Sequence, residues 1–260
     1  MLVTGGCGMS QESFELWRTW PSFCNMTHHC DHSNVGVPAG GNKLIGRTLL
    51  HKIYSEDVDV CIVTWTSIGK EDFYIEKADI ADEIRTYNLR NFLVDIRGNV
   101  VSGEGFWPSS VSDDNRIKEW YTRNLASKFN SYYELLESIL FVQSVVKEKG
   151  ISLYMFFSYV IDFEYIIATK ELSTLWEQVD KKSFVTDQFL ANQYQDSKWK
   201  HFQKANDYGL VPVIGWQWDF YEQYIIPILD NHYDRKNVNL DKLRDGCYAL
   251  CEKNYTEGIS

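Results

Sequence analysis

The eight residues Val58-Asp59-Val60-Cys61-Ile62-Val63-Thr64-Trp65 constrain the fold more than any other segment of the chain. They are rich in β-branched residues and almost continuously apolar. A strand with one solvated face alternates polar and apolar residues, whereas a strand covered on both faces does not. Strands covered on both faces belong to parallel sheets flanked by helices. The segment is too short for a helix of ordinary length and predicts a central strand of such a sheet.

The neighbouring segments agree with this. Leu2 to Thr4 is an apolar start that empties into Gly5-Gly6, as expected of a first buried strand, and Asn34 to Val37 is a candidate second strand. After the turn Pro38-Ala39-Gly40-Gly41-Asn42, the positions Leu44/Ile45, Leu49 and Ile53 recur at helical spacing. From Tyr132 to Lys149 a stripe of Tyr132, Leu135/Leu136, Ile139, Val142 and Val146 predicts an amphipathic helix stopped by Gly150. Ile151 to Phe157 follows at once as another buried strand, and a helix feeding an apolar strand is half of a βαβ unit. Residues 66–112 read as excursions from the sheet, including a helix around Ile80 to Asn88, and residues 160–206 as helical pieces. Phe220 to Leu229 and Leu240 to Cys251 carry further helical patterns. The expectation is a three-layer α/β/α fold with a mostly parallel central sheet over residues 1–230, and a C-terminal helical extension, residues 231–260, packed on the same domain. In such a sheet ligands bind beyond the carboxyl ends of the strands. That directs attention to Gly5–Ser13, Val37–Asn42, Trp65–Asp72 and Ser158–Phe163.

Composition narrows the function classes. With 36 acidic against 26 basic residues the net charge is −10, which opposes affinity built on phosphate neutralisation, so no nucleic-acid partner is expected. No apolar run approaches the roughly 20 residues of a membrane helix, so no membrane partner is expected either. Met1-Leu2-Val3-Thr4-Gly5-Gly6 lacks the basic start and long apolar stretch of a secretory signal. The expected setting is cytoplasmic or virion-associated, with the six cysteines reduced and the sequons at Asn25 and Asn254 chance matches. Gly5-Gly6-Cys7-Gly8 has neither the Gly-Lys-Ser/Thr ending of a phosphate loop nor a dinucleotide fingerprint, so no cofactor is expected.

At the strand-end loops the chain resembles the SGNH (GDSL-type) hydrolase superfamily, most closely its divergent members in tailed-phage genomes. The residues that carry the resemblance are Gly6-Cys7-Gly8-Met9-Ser10 after the first strand, with Trp20-Pro21-Ser22-Phe23 downstream. They continue with Gly40 or Gly41 before Asn42, and with Trp65-Thr66-Ser67 after the third strand. The long helix with Gly150-Ile151 and Tyr154-Met155, and the helix end Tyr224-Ile225-Ile226-Pro227, extend it. The resemblance implies a Ser-His-Asp esterase in which serine attacks an acyl carbon and histidine takes its proton. It also implies oxyanion or ligand contacts from Gly8, Gly40, Gly41, Asn42 and Ser67. Yet the position that aligns with the nucleophile is Gly8, and Val211 stands where the base belongs. Glycine cannot attack and valine cannot carry a proton. The reading that follows is a viral-type pseudoenzyme binding a carbohydrate or acyl ester. The alternative is an active esterase or carbohydrate deacetylase with a shifted Ser10/His232/Asp230 site.

Other constellations have simpler accounts. Cys24, His28, His29, Cys30, Asp31 and His32, with Cys247 and Cys251 as a second pair, contain enough zinc ligands, but a helix end followed by a solvated loop is the simpler account, and no metal is expected. Cys7 as a displaced nucleophile is disfavoured by its place at a buried strand end. Asp113-Asp114-Asn115 reads as a helix N-cap. Trp216-x-Trp218 reads as core packing, with sugar stacking as the alternative.

Overall fold

A computed structural model describes residues 1–6, 19–37, 40–68, 72–75, 93–94, 100–101, 105–108, 127–202 and 213–257. Strand β1 (Leu2–Gly6) is followed by helix α1 (Pro21–Thr27), β2 (His32–Asn34), α2 (Asn42–Ser55) and β3 (Val60–Trp65). Four short strands come next, β4 (Asp72–Ile75), β5 (Leu93–Val94), β6 (Val100–Val101) and β7 (Gly105–Pro108), then α3 (Lys128–Glu148) and β8 (Ser152–Phe157). The remainder is helical: α4 (Phe163–Ala168), α5 (Lys170–Gln178), α6 (Leu190–Asp196), α7 (Ile214–Phe220), α8 (Ile226–Asp230) and α9 (Leu240–Glu257).

The central sheet has the order β2-β1-β3-β8 and every pair in it is parallel. β1 and β3 are buried along their whole length, as the unbroken apolar run requires. Alternation sends Val3, Cys61, Val63, Trp65, Met155 and Phe157 to one face, against the apolar stripes of α2 and α3. Leu2, Val60, Ile62 and Phe156 point to the other face, against α1 and the α7–α8 rod, with Cys247 and Cys251 of α9 in the same core. The result is a three-layer α/β/α fold whose C-terminal helix lies on α7. No helix among the described residues is long and apolar enough to cross a membrane.

Local chemistry accounts for the joints. Ser127 caps α3, its hydroxyl accepting from Asn130 N at 3.3 Å. At the other end Gly150 takes φ +69°, while Ile151 N reaches Val146 O at 2.8 Å and Gly150 N reaches Lys147 O at 3.3 Å. That paired 6→1 and 5→2 arrangement needs a left-handed residue, hence the glycine, and it turns the chain directly into β8. Gly5 is required for a different reason: a Cβ there would stand 2.7 Å from a methyl of Leu49, so only glycine lets α2 lie this close to β1.

Three features depart from the sequence reading. The second strand begins at His32, two residues before the expected Asn34, and its polar residues are tolerated because β2 is an edge of the sheet. Val35 N and Val37 N continue its pairing to Thr4 O and Gly6 O at 2.8 Å each. Between β3 and α3 lies a separate antiparallel sheet, β4-β7-β5-β6. Finally, the helix expected from Phe220 starts at Ile214 and opens into a π-helical turn over Tyr221–Ile225. Pro227 explains the opening, since it lacks the N–H that would continue the α-helical ladder. The expected helix at Ile80 to Asn88 and the Asp113-Asp114-Asn115 cap lie outside the described residues.

Candidate functional site

The chain order places a topological switch at β1, with β2 on one side and β3 and β8 on the other. Beyond the carboxyl ends of these strands come Thr66 and Ser67 after β3, Ser158 after β8, and the first turns of α1, α2 and α7. Alternation along β3 and β8 turns Thr66 and Ser158 toward the α1/α7 layer, where Thr19 and Gln217 also lie. Thr66, Ser158 and Gln217 are fully buried and Thr19 is 1% exposed. Thr19 Oγ1, Thr66 Oγ1, Ser158 Oγ and Gln217 Nε2 find no hydrogen-bond partner among the described residues, while Gln217 Oε1 accepts from Trp20 N at 3.2 Å. A buried polar group left unmade costs about 1–3 kcal/mol, so four at one end of a sheet call for a ligand or ordered water.

Of the residues assigned to oxyanion or ligand contacts, Asn42 bridges two of the expected loops. Its Oδ1 accepts from Thr66 N at 2.9 Å, and its Nδ2 donates to Thr66 O at 3.3 Å and Ser67 O at 3.5 Å. The structure thereby brings Gly40, Gly41 and Asn42 to Ser67. Its amide thus faces backbone groups of the loop after β3, and the side chain ties that loop to the start of α2. Gly40 N donates to Val37 O at 3.2 Å and closes the turn into α2. Gly8, Ser10, Cys7 and Val211 lie outside the described residues.

Asp230 and His232 have different partners from each other. His232 Nε2 lies 2.9 Å from the Tyr154 hydroxyl. Asp230 pairs with Arg235, and His28 Nε2 lies 3.2 Å from its Oδ1. The other ring nitrogen of His28 is 2.8 Å from Thr27 Oγ1, which also meets the Tyr221 hydroxyl. An alcohol, an imidazole and a carboxylate thus stand in series, in the order of a hydrolytic relay. The series cannot act as one, because His28 is fully buried and Thr27 is 1% exposed, leaving no approach for an acyl carbon. It lies at the amino-terminal end of the sheet, where the chain enters β2. There Lys236 N donates to Thr27 O and His29 N to Asp234 O at 2.8 and 2.9 Å. Burial lowers the His28 pKa against the opposing pull of Asp230, and Arg235 together with His28 holds the Asp230 carboxyl below its usual range. This arrangement is a buckle between the segments around residues 28 and 235.

A second, partly buried alcohol–imidazole contact lies between β1 and the edge strand β2. Thr4 Oγ1 is 2.8 Å from His32 Nε2 and donates to Asn34 Oδ1 at 3.2 Å. Burial lowers the His32 pKa to about 4, so the ring is neutral at pH 7. With His28 and His32 so engaged, the Cys24–His32 segment does not converge on an ion. No group of three or more His, Cys, Asp or Glu is placed to hold a metal among the described residues. Cys24, Cys30, Cys61, Cys247 and Cys251 form no disulfide there, and burial pushes the Cys61 thiol up to about 12.

Trp216 and Trp218 pack the core. Trp216 stacks on Phe220 at 5.4 Å between ring centres and Trp218 meets Phe23 edge-on at 5.0 Å. Between them Gln217 points to the strand ends, a role with no sequence signal beyond its place in an aromatic helix. Thr66 and Ser158 did have one, since each directly follows a buried strand. The chain matches no protein-family model, no curated protein and no solved structure with which it was compared.

Proposed function

We propose that this chain is an SGNH-hydrolase-like module of the phage type that binds a carbohydrate or an acyl ester at the carboxyl ends of its parallel strands without hydrolysing it. The observation that carries this reading is the cluster of Thr19, Thr66, Ser158 and Gln217, buried polar groups without partners where such a fold receives a ligand. Two further facts support it. The strand order is that of the flavodoxin-like doubly wound sheets, and Asn42 ties the second loop of the resemblance to the third. Asp230 and His232, the acid and base of a shifted site, are engaged with Arg235, His28 and Tyr154. With glycine at the nucleophile position and valine at the base position, only binding and any oxyanion contribution remain, a loss of orders of magnitude in rate.

A fluorophosphonate probe and a p-nitrophenyl acetate assay on the whole chain test this directly. The expected result is no covalent adduct and no turnover above buffer. Stoichiometric labelling of Ser10 with saturable ester hydrolysis overturns the proposal in favour of an active esterase.

A further inference from the structure

On the α1/α7 side of the sheet, a cleft of about 510 Å³ opens between α6 with its approach and the α7–π-turn rod. The volume falls within the roughly 300–1,000 Å³ of small-molecule sites. None of its lining residues belongs to the Thr27–His28–Asp230 buckle. Ala191 N, at the start of α6, donates to Ser158 O at 2.8 Å, which sets one wall beside the end of β8.

The lining chemistry is specific. Four amide side chains, Gln188, Asn192, Gln193 and Gln223, face the cleft, joined by the carboxylates Asp196 and Asp219 and by aromatic rings. No Lys or Arg is among the described lining residues. Asp219 is internally engaged, accepting from Trp199 Nε1 at 2.6 Å and from the Tyr248 hydroxyl. Gln193 Nε2, by contrast, is shielded from solvent and has no partner among the described residues. Phe189 and Tyr224 are each half-buried, Phe189 backed by Phe163 at 6.2 Å and Tyr224 by Phe220 at 5.5 Å.

We propose that this cleft, which shares no lining residue with the Thr19, Thr66, Ser158 and Gln217 cluster, is a binding site for a neutral saccharide, an assignment that does not rest on the reading given for that cluster. Amides both donate and accept, as sugar hydroxyls do, and a carboxylate accepts from two adjacent hydroxyls. Ring faces take the apolar C–H face of a pyranose. An anionic ligand would meet carboxylates and a net charge of −10 with no cation in the lining. An apolar ligand would leave the amides unpaired.

Isothermal titration of the whole chain with maltotriose, cellotriose and triacetylchitotriose, with trigalacturonate as the acidic comparison, tests the assignment. At least one neutral trisaccharide is expected to bind saturably at millimolar concentration, and trigalacturonate more weakly. Gln193→Leu removes the shielded donor and is expected to weaken that binding about tenfold. Asn192→Ala, at an exposed position, is expected to weaken it measurably and serves if the first variant does not fold. The proposal is overturned if no neutral trisaccharide binds, if binding survives both substitutions unchanged, or if trigalacturonate binds as tightly. Saturable binding of a Gln/Asn-rich tetrapeptide with none of the sugars overturns it in favour of a peptide site.

Discussion

At the residue scale the histidines show most clearly how position decides chemistry. His32 is neutral at pH 7 because its half-buried ring is desolvated beside Thr4, with a pKa lowered from about 6.5 in the unfolded chain to about 4. Below pH 6.5 the unfolded state therefore binds a proton that the folded state refuses. Stability contributed by the neutral ring is complete above pH 6.5 and is lost as pH falls toward 4, on the order of 3 kcal/mol across that window. His32→Gln removes this slope. Urea denaturation at pH 7 and pH 5 is expected to show the wild-type advantage over the variant shrinking at the lower pH; a constant difference contradicts the burial of a neutral ring. Asn42 makes the other residue-scale prediction. Asn42→Ala strips Thr66 of partners on both its N–H and its carbonyl, and is expected to cost about 1–3 kcal/mol in thermal unfolding and to speed hydrogen exchange at Thr66 N.

At the element scale two glycines in the C-terminal helices give opposite expectations. A Cβ at Gly215 on α7 would stand 2.5 Å from the Trp199 ring, whose indole nitrogen is held by Asp219 and which cannot move aside freely. Gly215→Ala is expected to destabilise the protein by about 1–3 kcal/mol through overpacking. Gly246 on α9 has nothing within 4 Å of such an atom, so Gly246→Ala is expected to stabilise by about 0.5–1 kcal/mol through helix propensity alone. Chemical denaturation of the two variants side by side checks both signs. Much of this scale was legible beforehand. The α3 stripe, its Gly150 stop and the strand after it follow from spacing and one backbone conformation, all local properties. The start of α7 at Ile214 was less so, because Ile214, Trp216, Trp218 and Phe220 alternate with Gly215, Gln217 and Asp219, a two-residue period that suits a strand and not a helix.

At the scale of the whole molecule, the segment after α8 is buckled to the segment before β2. Asp230 receives Arg235 and His28, and two backbone hydrogen bonds flank them. Asp230→Ala leaves a buried imidazole and a guanidinium without their carboxylate, and is expected to lower stability by about 1–3 kcal/mol in urea denaturation. It is expected to leave the strand-end loops unchanged, as judged by hydrogen exchange at Thr66. Equal loosening at both ends of the sheet would show that the buckle and the candidate site are one cooperative unit.

The sequence by itself determined the layered parallel architecture and the loops in which a ligand site had to lie. Burial on both faces and helical spacing are written into consecutive residues, and any chain that carries them must cover them. Only the tertiary structure decided what those loops hold and which polar groups meet. Thr27 finds Tyr221 across 194 positions, His28 finds Asp230 across 202, and Gln217 reaches Trp20 across 197. Hydrophobic pattern fixes which face of an element is buried, but a hydrogen-bond partner is fixed only when packing brings two distant surfaces within 3 Å or so of each other.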